Sequence, residues 1–233
     1  MKEKYTYPET ITENFDIANF HIKYCLSFIK KYLKGDILEV GAGCGSFTRN
    51  YLNEKFTSVT LTEKDEVNYL KLSEKYKKNE KVKVINELIY DINQQYNSIL
   101  YLHVLEHIKD DKKEIDEAIR KLKNNGYLII MVPAHQKIYG NLDKEVGHYR
   151  RYESDFFRQE IKYLKLVNFK YLDSAGYLLY KLNSFVFSKE KSPTKFKIFI
   201  WDKFFTPISM VFDFISMYKF GKCILAIYLK TQK

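Results

Sequence analysis

The sequence is poor in the residues that build cross-linked or linker-rich chains. Its 233 residues hold three cysteines, Cys25, Cys44 and Cys223, odd in number, far apart and without a C-x-x-C pair. That excludes a disulfide framework and a zinc site, and no metal ligand set is expected. Nine glycines and four prolines are too few for a collagen-like or low-complexity chain. No apolar run approaches the roughly 20 residues that span a bilayer. The most apolar stretch, 196–220, is interrupted by Lys197, Asp202, Lys203, Pro207, Asp213 and Lys219. The first thirteen residues are polar and lack the apolar core of a secretory signal. These absences predict a cytoplasmic protein.

Apolar residues make up 45% of the chain and aromatics 16%, which excludes a disordered polymer and suits one domain with a sizeable core. Thirty-nine Lys and Arg against 29 Asp and Glu leave a net charge of +10. A basic chain can bind nucleic acid or an anionic membrane, but the excess is mostly lysine, and a solvated lysine-rich exterior is the simpler reading.

Helical and strand periodicities alternate along the chain, which predicts an α/β fold with helices on both faces of a mostly parallel, doubly wound sheet. A helix is expected over 15–33, ended by Gly35. Strands are expected over 36–40, 58–62, 81–86, 97–102, 127–132, 167–173 and 223–229, the last closing the sheet as an edge. Helices are expected over 65–76, 110–122 and 155–164. The stretch 134–152 has no clean period, and a long irregular segment after a strand is more often functional than idle. The aromatic-rich segment 174–220 reads as a helical insertion or cap within a single 1–233 domain. Phe196, Ile200, Phe204, Ile208, Val211 and Ile215 share one stripe of its wheel, with Pro207 bending or splitting the helix. The plain reading is a helical hairpin packed over the core; the functional one is a substrate cap that touches a membrane surface.

The most informative segment is Ile37-Leu38-Glu39-Val40-Gly41-Ala42-Gly43-Cys44-Gly45-Ser46-Phe47-Thr48. A buried strand runs into three alternating glycines and then a helix, so backbone N–H groups are offered to a ligand that no Cβ obstructs. The dinucleotide pattern G-x-G-x-x-G wants a glycine where Ser46 stands. Glu39 lies in the strand end, where a carboxylate needs a partner; a ligand with an ammonium or sulfonium group supplies one, and NAD does not. Glu63, after the second strand, is placed to accept the ribose hydroxyls, with helix capping as its alternative and Asp65 as competitor for the cap. Glu87 and Leu88 follow the third strand, where an adenine would lie, with Asp91 as competitor.

Together these residues resemble the class I S-adenosylmethionine-dependent methyltransferases. Tyr101-Leu102-His103-Val104-Leu105-Glu106-His107-Ile108 is similar to the motif after the fourth strand of that family, and Asn124-Asn125-Gly126-Tyr127-Leu128 to its turn into the fifth. Val132-Pro133-Ala134-His135, Tyr139-Gly140, Asp143 and Gly147-His148-Tyr149-Arg150-Arg151-Tyr152 resemble a subgroup associated with glycosyltransferases of surface-polysaccharide and lipid-linked sugar pathways. His103 and Asp173 stand where the subgroup often has Asn. The resemblance implies a Rossmann-like sheet of seven strands with an antiparallel edge strand. It implies S-adenosylmethionine as cofactor and S-adenosylhomocysteine as product, held by Glu39, Gly41, Ala42, Gly43, Gly45, Ser46, Phe47, Glu63, Lys64, Glu87, Leu88 and His103.

Methyl transfer from sulfonium is an in-line displacement that needs alignment, exclusion of water and, for a hydroxyl acceptor, a base. His148, then His135 and His107, are the candidate bases. Arg150 and Arg151 suit an anionic acceptor, the alternative being a structural salt bridge to Asp143 or Glu145. Tyr139 and Tyr152 suit a sugar ring. The expected acceptor is a small molecule, a sugar, sugar phosphate or lipid-linked saccharide. A glycosyltransferase is a candidate partner and the inner face of the membrane a candidate contact. The rivals are a nucleic-acid methyltransferase, which lacks its usual Pro-Pro or Pro-Cys signature here, and a non-catalytic nucleoside-binding scaffold.

Overall fold

The computed structural model describes residues 15–158, 161, 164–186 and 194–231. The polar first thirteen residues, parts of the helix expected over 155–164, and Pro193 lie outside them.

Seven strands form one sheet: β1 (Asp36–Val40), β2 (Ser58–Thr62), β3 (Val82–Ile85), β4 (Tyr96–Leu102), β5 (Leu122–Pro133), β6 (Leu164–Leu172) and β7 (Cys223–Lys230). Their spatial order is β3-β2-β1-β4-β5-β7-β6. β1 pairs in parallel with β2 and with β4, placing Leu38 opposite Thr60 on one side and Ile99 on the other. Ile99–Leu102 of β4, Leu128–Val132 of β5 and Ile224–Tyr228 of β7 are continuous apolar runs because both faces of the sheet are covered there. Alternate residues supply two cores. Leu38, Val40, Ile99, Tyr101, Leu128 and Ile130 face one, and Ile37, Leu100, Leu102, Ile129 and Met131 the other.

The last strand is not the edge. β7 lies between β5 and β6, antiparallel to both, and β6 forms the edge. The residues explain the exchange. Cys223-Ile224-Leu225-Ala226-Ile227-Tyr228 is buried throughout, as a strand covered on both faces must be. β6 is mostly half-exposed, carries Lys165 and Lys170, and has an irregularity between Leu166 and Asn168, all of which suit an edge.

The helices are α1 (Asn19–Ile29), α2 (Thr48–Tyr51), α3 (Glu66–Tyr76), α4 (Asp111–Lys121), α5 (Asn141–Glu145), α6 (Ser154–Arg158), α7 (Ser174–Val186), α8 (Lys195–Ile200) and α9 (Thr206–Ile215). Asp65 caps α3 by accepting the Asn68 N–H at 2.9 Å. Leu164, expected in a helix, opens β6. Pro207 does not split its helix. A π-turn over Trp201–Phe205 joins α8 to α9, with the Thr206 N–H bonded back to the Trp201 carbonyl; widening the helix just before a residue without an N–H keeps the chain helical.

The expected apolar stripe of this long helix points outward. Phe196 is 72% exposed, and Phe204, Ile208, Val211 and Ile215 are exposed as well. The buried side carries Ile198, Asp202, Thr206, Ser209 and Asp213. Asp202 accepts the N–H groups of Phe20 and His21 at 3.2 and 2.8 Å, capping α1, whose own Ala18 offers no side-chain cap. Asp213 accepts from Tyr24 Oη at 2.8 Å and from the Asp173 and Ser174 N–H groups at 2.8 and 2.9 Å. Ser209 donates to Asp173 Oδ1 at 2.8 Å and accepts the Ala175 N–H at 3.1 Å.

Candidate functional site

A cavity of about 600 Å³ opens along the carboxyl ends of β1, β2 and β4, where open α/β sheets bind ligands. Its walls run from the glycine loop after β1 to a corner made by the segments after β4 and β5.

At the loop end, Gly41 and Gly43 have φ of +65° and +55°, a region that side chains with a Cβ avoid. A Cβ on Gly41 would also stand 2.9 Å from Val104 Cγ2. The Gly41 N–H donates to Thr62 Oγ1 at 3.2 Å and the Gly43 N–H to Glu63 Oε2 at 2.7 Å. The other Glu63 oxygen accepts the Asp65 N–H at 2.8 Å. Glu63 is therefore a brace between loop and β2 as well as part of the wall, and Asp65 takes the capping role. Burial pushes the Glu63 pKa up, against the pull of these N–H donors. Gly43, Ala42, Ser46, Phe47, Lys64, Glu87 and Leu88 line the same wall, whereas Asp91 lies exposed outside it. The Ser46 hydroxyl also donates to Asp16.

Two residues expected at this end sit behind it. Glu39 is buried off the cavity wall, and its carboxylate accepts hydrogen bonds from the hydroxyls of Thr48, at 2.7 Å, and Tyr51. The partner that its burial demands comes from the chain and not from a ligand. Burial pushes its pKa up to about 7 despite those donors. Gly45 lies behind the wall with its φ at +72°, its α-carbon packed towards Leu72 and Tyr76.

His103, Asp173 and His135 follow β4, β6 and β5 in left-handed conformations, with φ of +59°, +65° and +66°. His103 lines the cavity with Nδ1 3.5 Å from Glu106 Oε1. Burial opposes a charge there, but the Cys223 thiol and the Glu106 carboxylate outweigh it and raise the pKa to about 10. His135 turns away. Its Nε2 faces the Gly221 carbonyl at 2.9 Å and its ring stacks on Tyr171 at 5.3 Å. It is not a base for this cavity.

The opposite corner gathers Glu106, His107, Asp143 and His148. His148 Nδ1 is 2.7 Å from Asp143 Oδ1, and its Nε2 is 3.9 Å from Glu106 Oε1. The His107 ring meets the His148 ring edge-on at 4.6 Å, and its Nδ1 faces the Gly147 carbonyl at 3.3 Å. Burial holds His107 neutral, with its pKa lowered to about 4. Glu106 is fully buried with neither carboxylate oxygen hydrogen-bonded. Burial would raise its pKa, but His103, His148 and His107 hold it below the usual value. Burial would likewise raise that of Asp143, yet His148 and Arg151 hold it at about 2. Glu106 and Asp143 were not expected to do more than fill a motif and form a salt bridge, respectively. The adjacency Glu106-His107 and the Asp143…His148 spacing were the available signals.

Both arginines are engaged by the protein. Arg151, buried, donates from Nε to the two Asp143 oxygens at 2.8 and 3.0 Å. Arg150, off the cavity wall, pairs with Asp111 at 2.7 Å and with the Lys109 carbonyl at 2.6 Å. They do not form an anion fork. Tyr152 is buried, with its hydroxyl 2.9 Å from Asp111 Oδ2, and Tyr139 donates to the His148 carbonyl at 2.6 Å; both shape the corner from behind. The wall instead carries Lys109, Lys113, Lys222 and Trp201, with the Lys222 ammonium 5.7 Å from the Trp201 ring.

A family model described as a methyltransferase domain matches residues 18–172. No curated protein matches the sequence. Several solved structures share the fold. The N-methyltransferase NodS from Bradyrhizobium japonicum WM9, in complex with S-adenosylhomocysteine, has 13% identity and a TM-score of 0.59, covering 94% of this chain and 88% of that one. An S-adenosylmethionine-dependent methyltransferase from Clostridium acetobutylicum ATCC 824 has 15% identity and a TM-score of 0.57, covering 98% and 93%. The cyclase SpnF has 13% identity and a TM-score of 0.61, covering 91% and 81%. At such identities the likeness speaks for the fold alone, as the presence of a cyclase among the neighbours illustrates.

Proposed function

The chain belongs to the methyltransferase-domain family, and on that premise we propose that it moves the methyl group of S-adenosylmethionine to a hydroxyl of a small, sugar-containing acceptor. The observation that carries this reading is the continuity of one cavity from the glycine loop to the histidine corner. Methionine and ribose would lie along Gly41–Gly43 and Glu63, whose oxygens keep lone pairs for the ribose hydroxyls. The adenine would lie against Leu88, with Glu87 beside it. The acceptor then meets the methyl group near His103 and the Glu106–His107–His148 corner.

The chain supplies alignment and a dry site, which together account for much of a displacement barrier. Asp143 fixes the His148 tautomer by taking Nδ1–H, so Nε2 is the atom that accepts the hydroxyl proton. As the C–O bond forms, the S–CH3 bond breaks and the sulfonium becomes a neutral thioether. Lys109, Lys113 and Lys222 support an acceptor with phosphate or carboxylate, and Trp201 a sugar face. The outward Phe, Ile and Val side chains of α8 and α9, flanked by Lys195, Lys203 and Lys219, support a seat on the anionic inner face of a membrane. A lipid-linked sugar reaches such a site from a preceding glycosyl transfer, and a glycosyltransferase is the partner class. No helix among the described residues is long and apolar enough to cross a membrane.

Titration calorimetry with S-adenosylmethionine and S-adenosylhomocysteine tests the first half: both bind in 1:1 ratio, and Glu63→Ala weakens each at least tenfold. If neither binds, the proposal fails. Labelled methyl transfer to lipid-linked sugars, set beside bulk RNA, tests the second. Incorporation into RNA alone would overturn the acceptor class.

A further inference from the structure

Asp173 Oδ2, Trp201 Nε1 and His21 Nδ1 are buried polar atoms with no hydrogen-bond partner among the described residues, a costly state in a folded chain. All three residues line the cavity, and they are neighbours. The His21 and Trp201 rings stand 4.6 Å apart. Asp173 is the charge that acts most strongly on the His21 ring, with His103 and Lys222 next. The group therefore adjoins His103, near which the methyl group is delivered.

Two of these side chains are fixed by their other atoms. Asp173 Oδ1 accepts from Ser209 Oγ at 2.8 Å and from the Gly176 N–H at 3.0 Å. Gly176 makes room for the carboxylate, since a Cβ there would stand 2.0 Å from Oδ2. His21 Nε2 faces Cys25 Sγ at 3.5 Å, and burial keeps the ring neutral by lowering its pKa to about 4. With the ring proton assigned to Nε2, Nδ1 offers a lone pair. Two acceptors and one donor are thus left over. A pair of hydroxyls brings two O–H donors and spare lone pairs, which matches. A phosphate dianion brings no donor for Asp173, an ammonium brings no acceptor for the indole, and an alkyl chain satisfies none of the three.

We propose that Asp173, Trp201 and His21 form the subsite that recognises the acceptor, gripping two neighbouring neutral hydroxyls of a sugar ring. The hydroxyls donate to Asp173 Oδ2 and His21 Nδ1, and one of them accepts the Trp201 N–H. This deepens the reading of the cavity as a methyl-transfer site and rests on it. The three atoms are closed to water in this structure, so seating the pair parts the His21–Trp201 contact. An acceptor without the pair leaves them unsatisfied, and sites built on buried polar groups reject such analogues far more strongly than apolar pockets do. Sequence spacing did not show the subsite, because its members come from α1, the end of β6 and the π-turn between α8 and α9.

Trp201 is the single tryptophan of the chain, so its indole N–H gives one nuclear magnetic resonance signal that reports on this subsite. The full chain, saturated with S-adenosylhomocysteine, is titrated with methyl hexopyranosides of gluco, galacto and manno configuration, and separately with inorganic phosphate. At least one pyranoside moves the indole proton downfield in a saturable way, and its dideoxy counterpart without the hydroxyl pair binds at least tenfold more weakly. Asp173→Asn, which keeps an Oδ1 acceptor for Ser209 and Gly176, weakens pyranoside binding tenfold or more. In case that variant does not fold, Trp201→Phe, read by calorimetry, does the same. Circular dichroism and S-adenosylhomocysteine binding check that each variant is folded. No movement with any pyranoside up to its solubility limit overturns the proposal and leaves the three atoms to ordered water. Equal movement with phosphate also overturns it, in favour of an anion site at Lys222. So does pyranoside binding untouched in either folded variant. If the unaltered chain fails to bind S-adenosylhomocysteine, the methyl-transfer reading sinks instead, and the same titration without it still decides the subsite.

Discussion

Helix α4 and the joined α8–α9 helix place their apolar residues on opposite sides, inward in the first and mostly outward in the second. In α4, Ile115, Ala118 and Ile119 form the apolar part of the buried face, beside the carboxylates Asp111, Glu114 and Glu117, and Lys112, Lys113, Asp116 and Arg120 face water, an amphipathic arrangement. Along 195–215 the buried stripe is mainly Asp, Thr and Ser, and most Phe, Ile and Val face out. The difference teaches that burial follows the partners available. Beneath α4 lies a sheet face of Tyr101, Leu128 and Ile130. Beneath α8–α9 lie the N-terminal N–H groups of α1 and α7, which need acceptors. The outward apolar face is left for another phase or partner.

The largest expected effect tests the inward polar stripe. Asp213→Ala strips an acceptor from Tyr24, Asp173 and Ser174, and unpaired buried donors cost about 1–3 kcal/mol each. A loss of about 4 kcal/mol in urea unfolding is expected; less than about 1 kcal/mol would mean that the stripe is merely tolerated. Ile115→Ala, the matching cut in α4, should cost about 3 kcal/mol, the usual range for a buried isoleucine. A third test separates the two kinds of inward carboxylate. Glu114 of α4 accepts from the Tyr101 hydroxyl at 3.0 Å, and burial raises its pKa above the ordinary glutamate value. Its folded form holds a proton more tightly than the unfolded chain does, so its contribution is complete below about pH 4.3 and is lost as pH rises through the folded value. Glu114→Gln should therefore gain on the unaltered protein between pH 4 and pH 8, and a flat difference would contradict the burial argument. The smallest effect on stability is expected from Phe196→Ser with Phe214→Ser, within about 0.5 kcal/mol. Co-sedimentation with anionic vesicles should fall with that pair of changes. A large destabilisation would show that the outward face is packed after all.

The same contrast sets how far the sequence can be read. Strand β1 carries the residues predicted for it, Asp36–Val40, and β2 likewise, because a short apolar run bounded by turn residues is a local signal. The glycine loop is local too, since positive φ at Gly41 and Gly43 is written in residue type. Even the departures at His103 and Asp173 have a local logic: Asn, Asp and His all enter the left-handed region more readily than other side chains, and both positions have positive φ. The long-range pairings are different. A salt bridge from Arg151 to Asp143 was offered only as one alternative, and the structure selects it, while nothing near Glu39 says that it finds Thr48 and Tyr51. The order β7 before β6 at the sheet end was legible in hindsight, from unbroken apolarity in one strand and interspersed lysines in the other. The direction of the α8–α9 stripe was not, because periodicity gives a face and not its orientation.

The register Leu172 opposite Cys223 makes 173–222 an oversized hairpin loop, its two stems zipped together on the sheet. Such a loop can change length and content over generations without shifting a single strand. Yet Asp202 reaches back to hold the first turn of α1, a helix whose N-cap Ala18 and residues His21 and Ile22 line the cavity. Any exchange of this module for another therefore edits the roof as well, so the outward apolar face and the lining of the cavity would be inherited together.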